Sequence, residues 1–293
     1  MTSPAQTIQA PTSKTPRLTR RKLQGLERES IHKARNWSKA DVSIAEWPPQ
    51  SGRRVVIKEL KNRPLWFRVL AGRYLLRREW NALCALREVA GVPAPVAKPD
   101  SDTIVMEFFP GRTLDSFRWW EVPEGVVEKV ELLVAHIHEL GITHGDLHSY
   151  NVLVDENDEI MLIDWATAST FGKQHRGPKS VTFDEWRALD ERAVAKIKIL
   201  SAPTDITPKQ YDLLANGGSR VYRFVKNFKR LGERMRGLDE QTILEREKKR
   251  NKILQRLEDV APGRSEEEIA HAKAKFEEHK QKKRDRAQAN QAT

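Results

Sequence analysis

Residues 144–169, HGDLHSYNVLVDENDEIMLIDWATAS, constrain this chain more than any other stretch. Two β-rich runs, VLVD and IMLID, flank a polar turn, and that pattern predicts a hairpin. With Asn157 and Asp158 as its two loop residues, Glu156 faces Glu159, Leu153 faces Leu162 and Asn151 faces Asp164. The hairpin then delivers an amide and a carboxylate side by side. Asp146 lies five residues before Asn151, in the loop entering the first strand, so a second carboxylate reaches the same end of the sheet. Oxygen-bearing side chains gathered in this way suit a hard cation such as Mg²⁺ holding a polyphosphate. The plainer alternative is a surface hairpin whose Asp and Asn are there because they favour turns.

The preceding residues supply a frame for that block. From Asp41 to Ile57 short apolar pieces alternate around PPQSG, which predicts a two-stranded hairpin closed by Lys58. Residues 74–90 place Leu76, Leu83, Leu86 and Ala90 on one helical stripe, and Gly91 stops the helix. Glu79 falls inside that stripe, where a carboxylate is costly unless a cation meets it. A short strand is expected through Ile104, Val105 and Met106, then a Pro110-Gly111 turn able to connect two lobes. A second amphipathic helix spans residues 124–140 and ends at Gly141.

The string H-G-D-x-x-x-x-N followed by I-D-W resembles the catalytic loop and metal-binding aspartate of the protein-kinase-like superfamily. The resemblance covers residues 38–235 and implies an α+β, bilobal kinase-like fold. That fold has a small β-rich N-lobe with one main helix (38–107), a hinge at 107–111 and a larger helical C-lobe (112–238). It implies ATP and Mg²⁺ as cofactors. Asp146 would orient the acceptor hydroxyl and take its proton, Asn151 and Asp164 would hold Mg²⁺, and Lys58 would contact the α and β phosphates. Glu79 would fix Lys58, and backbone groups of Glu107, Phe108 and Phe109 would bind adenine. His144 is expected to brace the loop rather than transfer protons.

Within the superfamily, HGDLHSYN resembles the RIO-like catalytic loop. KELKNRPLWFRVLAGRYLLRREWNAL is similar to the insert and helix of bacterial lipopolysaccharide kinases of the Kdo and heptose kinase type. No G-x-G-x-x-G precedes Lys58, so phosphate cover is expected either from a loop near Ser38 or to be weaker. Trp165 and Ala166 replace the usual Phe and Gly after the metal aspartate, and no A-P-E segment follows. That loss favours a RIO-like or a sugar-phosphorylating kinase over a peptide-docking one, and together with the insert it puts a lipopolysaccharide core sugar first as the acceptor. A RIO-like protein serine/threonine kinase or ATPase is the alternative, and a pseudokinase scaffold with a basic nucleic-acid-binding tail is the third reading.

The chain has 293 residues with 52 Lys and Arg against 41 Asp and Glu, a net charge of +11. Residues 1–40 hold nine Lys and Arg against two Glu, and residues 221–293 hold 20 against 13 acidic residues, so each end carries +7. The core is slightly acidic, and its partner need not be an anion. Residues 1–37 read as a basic extension, disordered to Pro16 and helical from Arg17 to Arg35, and residues 239–293 as a charged helical tail broken at 261–264. Residues 221–237 have an apolar face and a basic one. They read either as a C-lobe helix with a solvated face or as an interfacial helix on an anionic membrane. No apolar run is long enough to span a bilayer and no secretory signal is evident, so a cytoplasmic protein, peripheral at the inner face of the membrane, is expected. The single cysteine, Cys84, reads as a buried thiol, and Trp119-Trp120 as packing rather than a sugar platform.

Overall fold

The computed structural model describes residues 18–32, 39–172, 178–201, 206–215 and 265–289. It divides into two compact units, residues 1–88 with 93–108, and residues 89–92 with 109–293. The first is β-rich and the second mainly helical, the α+β architecture expected from the sequence.

In the first unit a short helix α1 (Arg20–Gln24) precedes β1 (Arg28–His32), β2 (Asp41–Glu46) and β3 (Arg54–Glu59). A one-turn helix α2 (Leu65–Phe67), a π-helical turn (Arg68–Gly72) and α3 (Arg73–Ala85) follow, and then β4 (Pro95–Asp100) and β5 (Thr103–Glu107). The five strands form one antiparallel sheet in the order β1-β2-β3-β5-β4. Val55 and Ile57 of β3 are fully buried on one face, against Leu18, Leu23, Trp47 and Val105. Strand alternation therefore turns Lys58 to the other face.

The first unit differs from expectation at four points. The helix foreseen from Arg17 to Arg35 ends at Gln24, because residues 28–32 pair with β2; the ladder available there overrides a weak helical pattern. Leu18 and Leu23 are core residues, so the first unit takes in residues assigned to an N-terminal extension. Cys84 is exposed, lying about 100° around α3 from the buried Leu83. Helix α3 also stops at Ala85, and Ala90 is exposed beyond it.

The second unit contains β6 (Arg112–Thr113), α4 (Val126–Glu139), β7 (Ile142–Thr143), β8 (Val152–Val154), β9 (Ile160–Leu162) and β10 (Ser169–Thr170). Among the described residues it also has helices α5 (Pro178–Ser201), α6 (Pro208–Ala215) and α7 (Glu266–Ala289). Strand β8 lies between β6 and β9, and β10 pairs with β7. The β8–β9 register is one residue off the expected one: Leu153 faces Met161, and Asn151 receives the Ile163 N–H at 2.9 Å. The cause is a three-residue loop. Asp155 Oδ1 accepts the N–H groups of Asn157 and Glu159, and Asp158 takes the left-handed conformation with φ 59°. Asp164 thus does not face Asn151 across the ladder.

Trp119 packs on Phe276 and His279 of α7, with ring centroids 5.0 and 5.6 Å away, so the packing role holds. Helix α7 lies in the charged tail and begins just after the break expected at 261–264. The stretch 221–237 and Ser38 lie outside the described residues.

Candidate active site

In the first unit, Lys58 Nζ is 2.8 and 2.9 Å from the two oxygens of Glu79. Glu79 is 1% exposed and Lys58 16%, so the pair is largely desolvated and each charge needs the other. The helix carrying Glu79 is held at its start by Asp102, whose carboxylate accepts Arg73 Nε at 2.8 Å and also pairs with Arg68. The hydrogen bond from Arg73 holds the Asp102 carboxyl down at about 2, against 3.8 ordinarily. Nothing in the sequence flags Asp102, because its partners are set by the β4–β5 turn meeting α3.

Glu107 and Ala94 exchange bonds. Glu107 N–H donates to Ala94 O at 2.9 Å, and Glu107 Oε2 accepts Ala94 N–H at 3.1 Å. The Glu107 side chain therefore braces β5 rather than facing a ligand. Arg54 lies over the Phe108 ring at 4.1 Å. In the second unit, Phe109 O accepts the Gly111 N–H at 2.9 Å.

Also in the second unit, Asp190 organises the loop that contains Asp146. It lies on α5, wholly buried, and its two oxygens accept the N–H groups of His144 (2.7 Å) and Gly145 (2.8 Å). His138 Nε2 lies 3.1 Å from the same carboxylate. His144 is wholly buried; Nε2 meets Ile163 O at 3.0 Å and must carry the proton, while Nδ1 accepts Asp146 N–H at 3.4 Å. A neutral imidazole thus ties the loop to the end of β9, the bracing role expected of it. Gly145 has φ 81°, and a Cβ there would sit 2.6 Å from Thr167 O, so glycine is required.

Asn151 is 6% exposed and donates Nδ2 to Asp146 O at 2.9 Å. A carbonyl can only accept, which fixes the amide's orientation and leaves Oδ1 as its lone-pair atom. His148 Nε2 lies 3.3 Å from Asn151 Nδ2 and 3.9 Å from Asp146 Oδ2. Asp164 is exposed at a left-handed turn (φ 66°) that takes it out of the ladder. The next residue, Trp165, is fully buried, donates Nε1 to Leu162 O at 2.8 Å and packs on His144 at 4.7 Å. That anchored indole, in the place where the resembled family usually has Phe, pins the start of the segment after Asp164.

Among the described residues no three His, Cys, Asp or Glu side chains form a metal cage. As donor types, a carboxylate (Asp164) and an amide oxygen (Asn151 Oδ1) are ligands that Mg²⁺ accepts with phosphate and water completing its shell. Bound there, Mg²⁺ would neutralise phosphate charge.

Sequence reasoning missed Asp190. The signal was present: Asp190 shares the α5 stripe with Phe183, Val194 and Ile197, the same anomaly that marked Glu79.

Comparison with known proteins finds local similarities to kinases. Residues 67–178 match the family model described as the RIO domain. The chain is 31% identical over 101 residues to the RIO-type serine/threonine-protein kinase Rio2 of Methanocaldococcus jannaschii, covering 33% of this chain and 37% of that protein. It is 36% identical over 44 residues to the 3-deoxy-D-manno-octulosonic acid kinase of Vibrio parahaemolyticus, 15% of this chain and 18% of that one. It is also 36% identical over 95 residues to a probable bifunctional tRNA threonylcarbamoyladenosine biosynthesis protein of Thermoplasma acidophilum, 30% and 17% of the two chains. The chain therefore spans well under half the length of these relatives. A solved Rio2 kinase–ADP/Mg²⁺–phosphoaspartate complex from Chaetomium thermophilum aligns with a TM-score of 0.46 at 15% identity, over 80% of this chain and 72% of that one. Over residues 67–178 the chain is thus similar to the RIO domain, and the relatives it matches in part include a RIO-type kinase and a Kdo kinase.

Proposed function

We propose that the chain is an ATP- and Mg²⁺-dependent phosphotransferase. The observation that carries this reading is the loop in which buried Asp190 and neutral His144 hold Asp146 and Asn151 in fixed relation. The acceptor oxygen forms a bond to the γ-phosphorus, the bond from that phosphorus to the β–γ bridging oxygen breaks, and ADP leaves. Asp146 orients the acceptor hydroxyl and takes its proton. Lys58, aligned by Glu79, would contact the α and β phosphates, and Asn151 Oδ1 and Asp164 would hold the metal. Beyond that proton transfer, the protein contributes positioning and charge neutralisation.

The acceptor we favour is a sugar hydroxyl of a lipopolysaccharide core, at the inner face of the cytoplasmic membrane. Only seven residues, 171–177, separate β10 from α5, which leaves little chain for docking a peptide. The Kdo kinase relative supports the same reading. A RIO-type protein serine/threonine kinase is the second reading, favoured by the family match. Labelled γ-phosphate from ATP, offered to core oligosaccharide and to protein together, decides between them. Label on the glycan supports the first reading, and label on serine or threonine alone replaces it with the second.

A further inference from the structure

The segment leading into α3 turns its apolar residues outward. Leu65, Trp66, Val69, Leu70 and Tyr74 are 65, 54, 54, 76 and 60% exposed, all within ten residues of one helical run. The other large exposed apolar residues among those described, Ile31, Leu132, Tyr150 and Val181, stand apart in the sequence. A concentrated apolar surface of this kind marks an interaction site.

The exposure is imposed by the fold. Phe67 is buried, and a Cβ on Gly72 would lie 2.7 Å from Leu60 Cδ1, so the π turn is packed tightly on its inner side. Arg68 and Arg73 are both tied to Asp102. With the inner side fixed in this way, the outer side is held toward solvent.

Charge narrows the partner. Residues 60–78 contain six Lys and Arg and no Asp or Glu. Arg63, Arg68 and Arg73 pair with Asp41 and Asp102, whereas Lys61 and Arg77 are exposed. Leucines with a Trp and a Tyr, rimmed by cations, are the composition of a helix lying in a membrane interface. A protein partner would also accept apolar side chains, but a run without an anion fits a surface that is negative throughout.

We propose that this face docks on an anionic lipid bilayer, with Trp66 and Leu70 in the acyl boundary and Lys61 and Arg77 against lipid phosphates. This goes beyond the phosphotransfer reading and does not depend on it. A lipid-borne acceptor would be brought within reach by such docking.

The test uses the full chain and vesicles of phosphatidylcholine, with or without phosphatidylglycerol, carrying brominated acyl chains. The wild type partitions onto the anionic vesicles and its tryptophan fluorescence is quenched. Trp66→Phe keeps the partition and loses most of the quenching. Leu70→Glu weakens partition by at least about tenfold, while the control Leu132→Glu, on α4, leaves it unchanged; thermal melts confirm folding. Binding without quenching assigns the contact to basic tails held by charge alone and overturns the proposal, as does quenching that survives Trp66→Phe. Absence of vesicle binding, with self-association that Leu70→Glu abolishes, overturns it in favour of a second copy. Should Leu70→Glu fail to fold, the Trp66→Phe quenching result decides.

Discussion

Lys58 Nζ lies within 2.9 Å of both oxygens of Glu79, a carboxylate with 1% of its side chain exposed. Breaking a pair so desolvated costs more than the pair itself contributes, because a charge is left in a site that water barely reaches. Lys58→Met should lower stability by about 3 kcal/mol and abolish turnover. The double variant Lys58→Met/Glu79→Leu should regain most of the stability and none of the turnover. Urea denaturation and ATP hydrolysis, run on both variants, check this.

Asp190, wholly buried, accepts two backbone N–H groups and faces His138. An amide in its place presents one oxygen, and its NH₂ opposes a donor. Asp190→Asn should cost roughly 2 to 4 kcal/mol and reduce kcat on the order of 100-fold, with nucleotide Kd little changed. Calorimetric ATP binding beside single-turnover kinetics separates the two effects.

Asp102 gives the protein an acid-sensitive clamp on α3. Its folded carboxyl sits at about 2, below 3.8 ordinarily, held down first by the hydrogen bond from Arg73. The stabilisation is therefore complete above the ordinary value and is lost as pH falls through it toward the folded value, a contribution of about 2 kcal/mol at neutral pH. Asp102→Asn should destabilise at pH ~7 and make little difference near pH ~2. Denaturant midpoints measured across that range test the sign.

Gly145 combines φ 81° with a Cβ position 2.6 Å from Thr167 O. Gly145→Ala should cost about 2 kcal/mol or more and push the 144–146 loop off Asp190. Loss of turnover with ATP affinity retained, read by the same assays, is the expected pattern.

The two buried carboxylates show what the sequence revealed and what it concealed. Glu79 stood out because a lysine at a strand end, Lys58, offered itself as partner. Asp190 occupies an equivalent stripe on α5, but its partners are mainly backbone N–H groups, which every residue has and no motif displays. The β8–β9 hairpin was legible as a hairpin. Its register was not, because D-E-N-D-E holds several turn formers and the choice rests on Asp155 capping the loop with its own side chain. Strand β1 was hidden for a different reason: RESIH becomes a strand through its pairing with β2. Cys84 was misplaced by reading an apolar neighbourhood as a face, when one step along a helix turns a side chain about 100°.

The central claim is that Asp146, Asn151 and Asp164 serve Mg²⁺-dependent transfer from ATP. The most direct test measures ATP turnover by the purified chain with Mg²⁺ and with EDTA, for wild type, Asp146→Ala and Asp164→Ala. The account predicts turnover only with Mg²⁺, lost in both variants, with nucleotide affinity kept in Asp146→Ala and reduced in Asp164→Ala. Turnover that persists in either variant, or that ignores the metal, would contradict it.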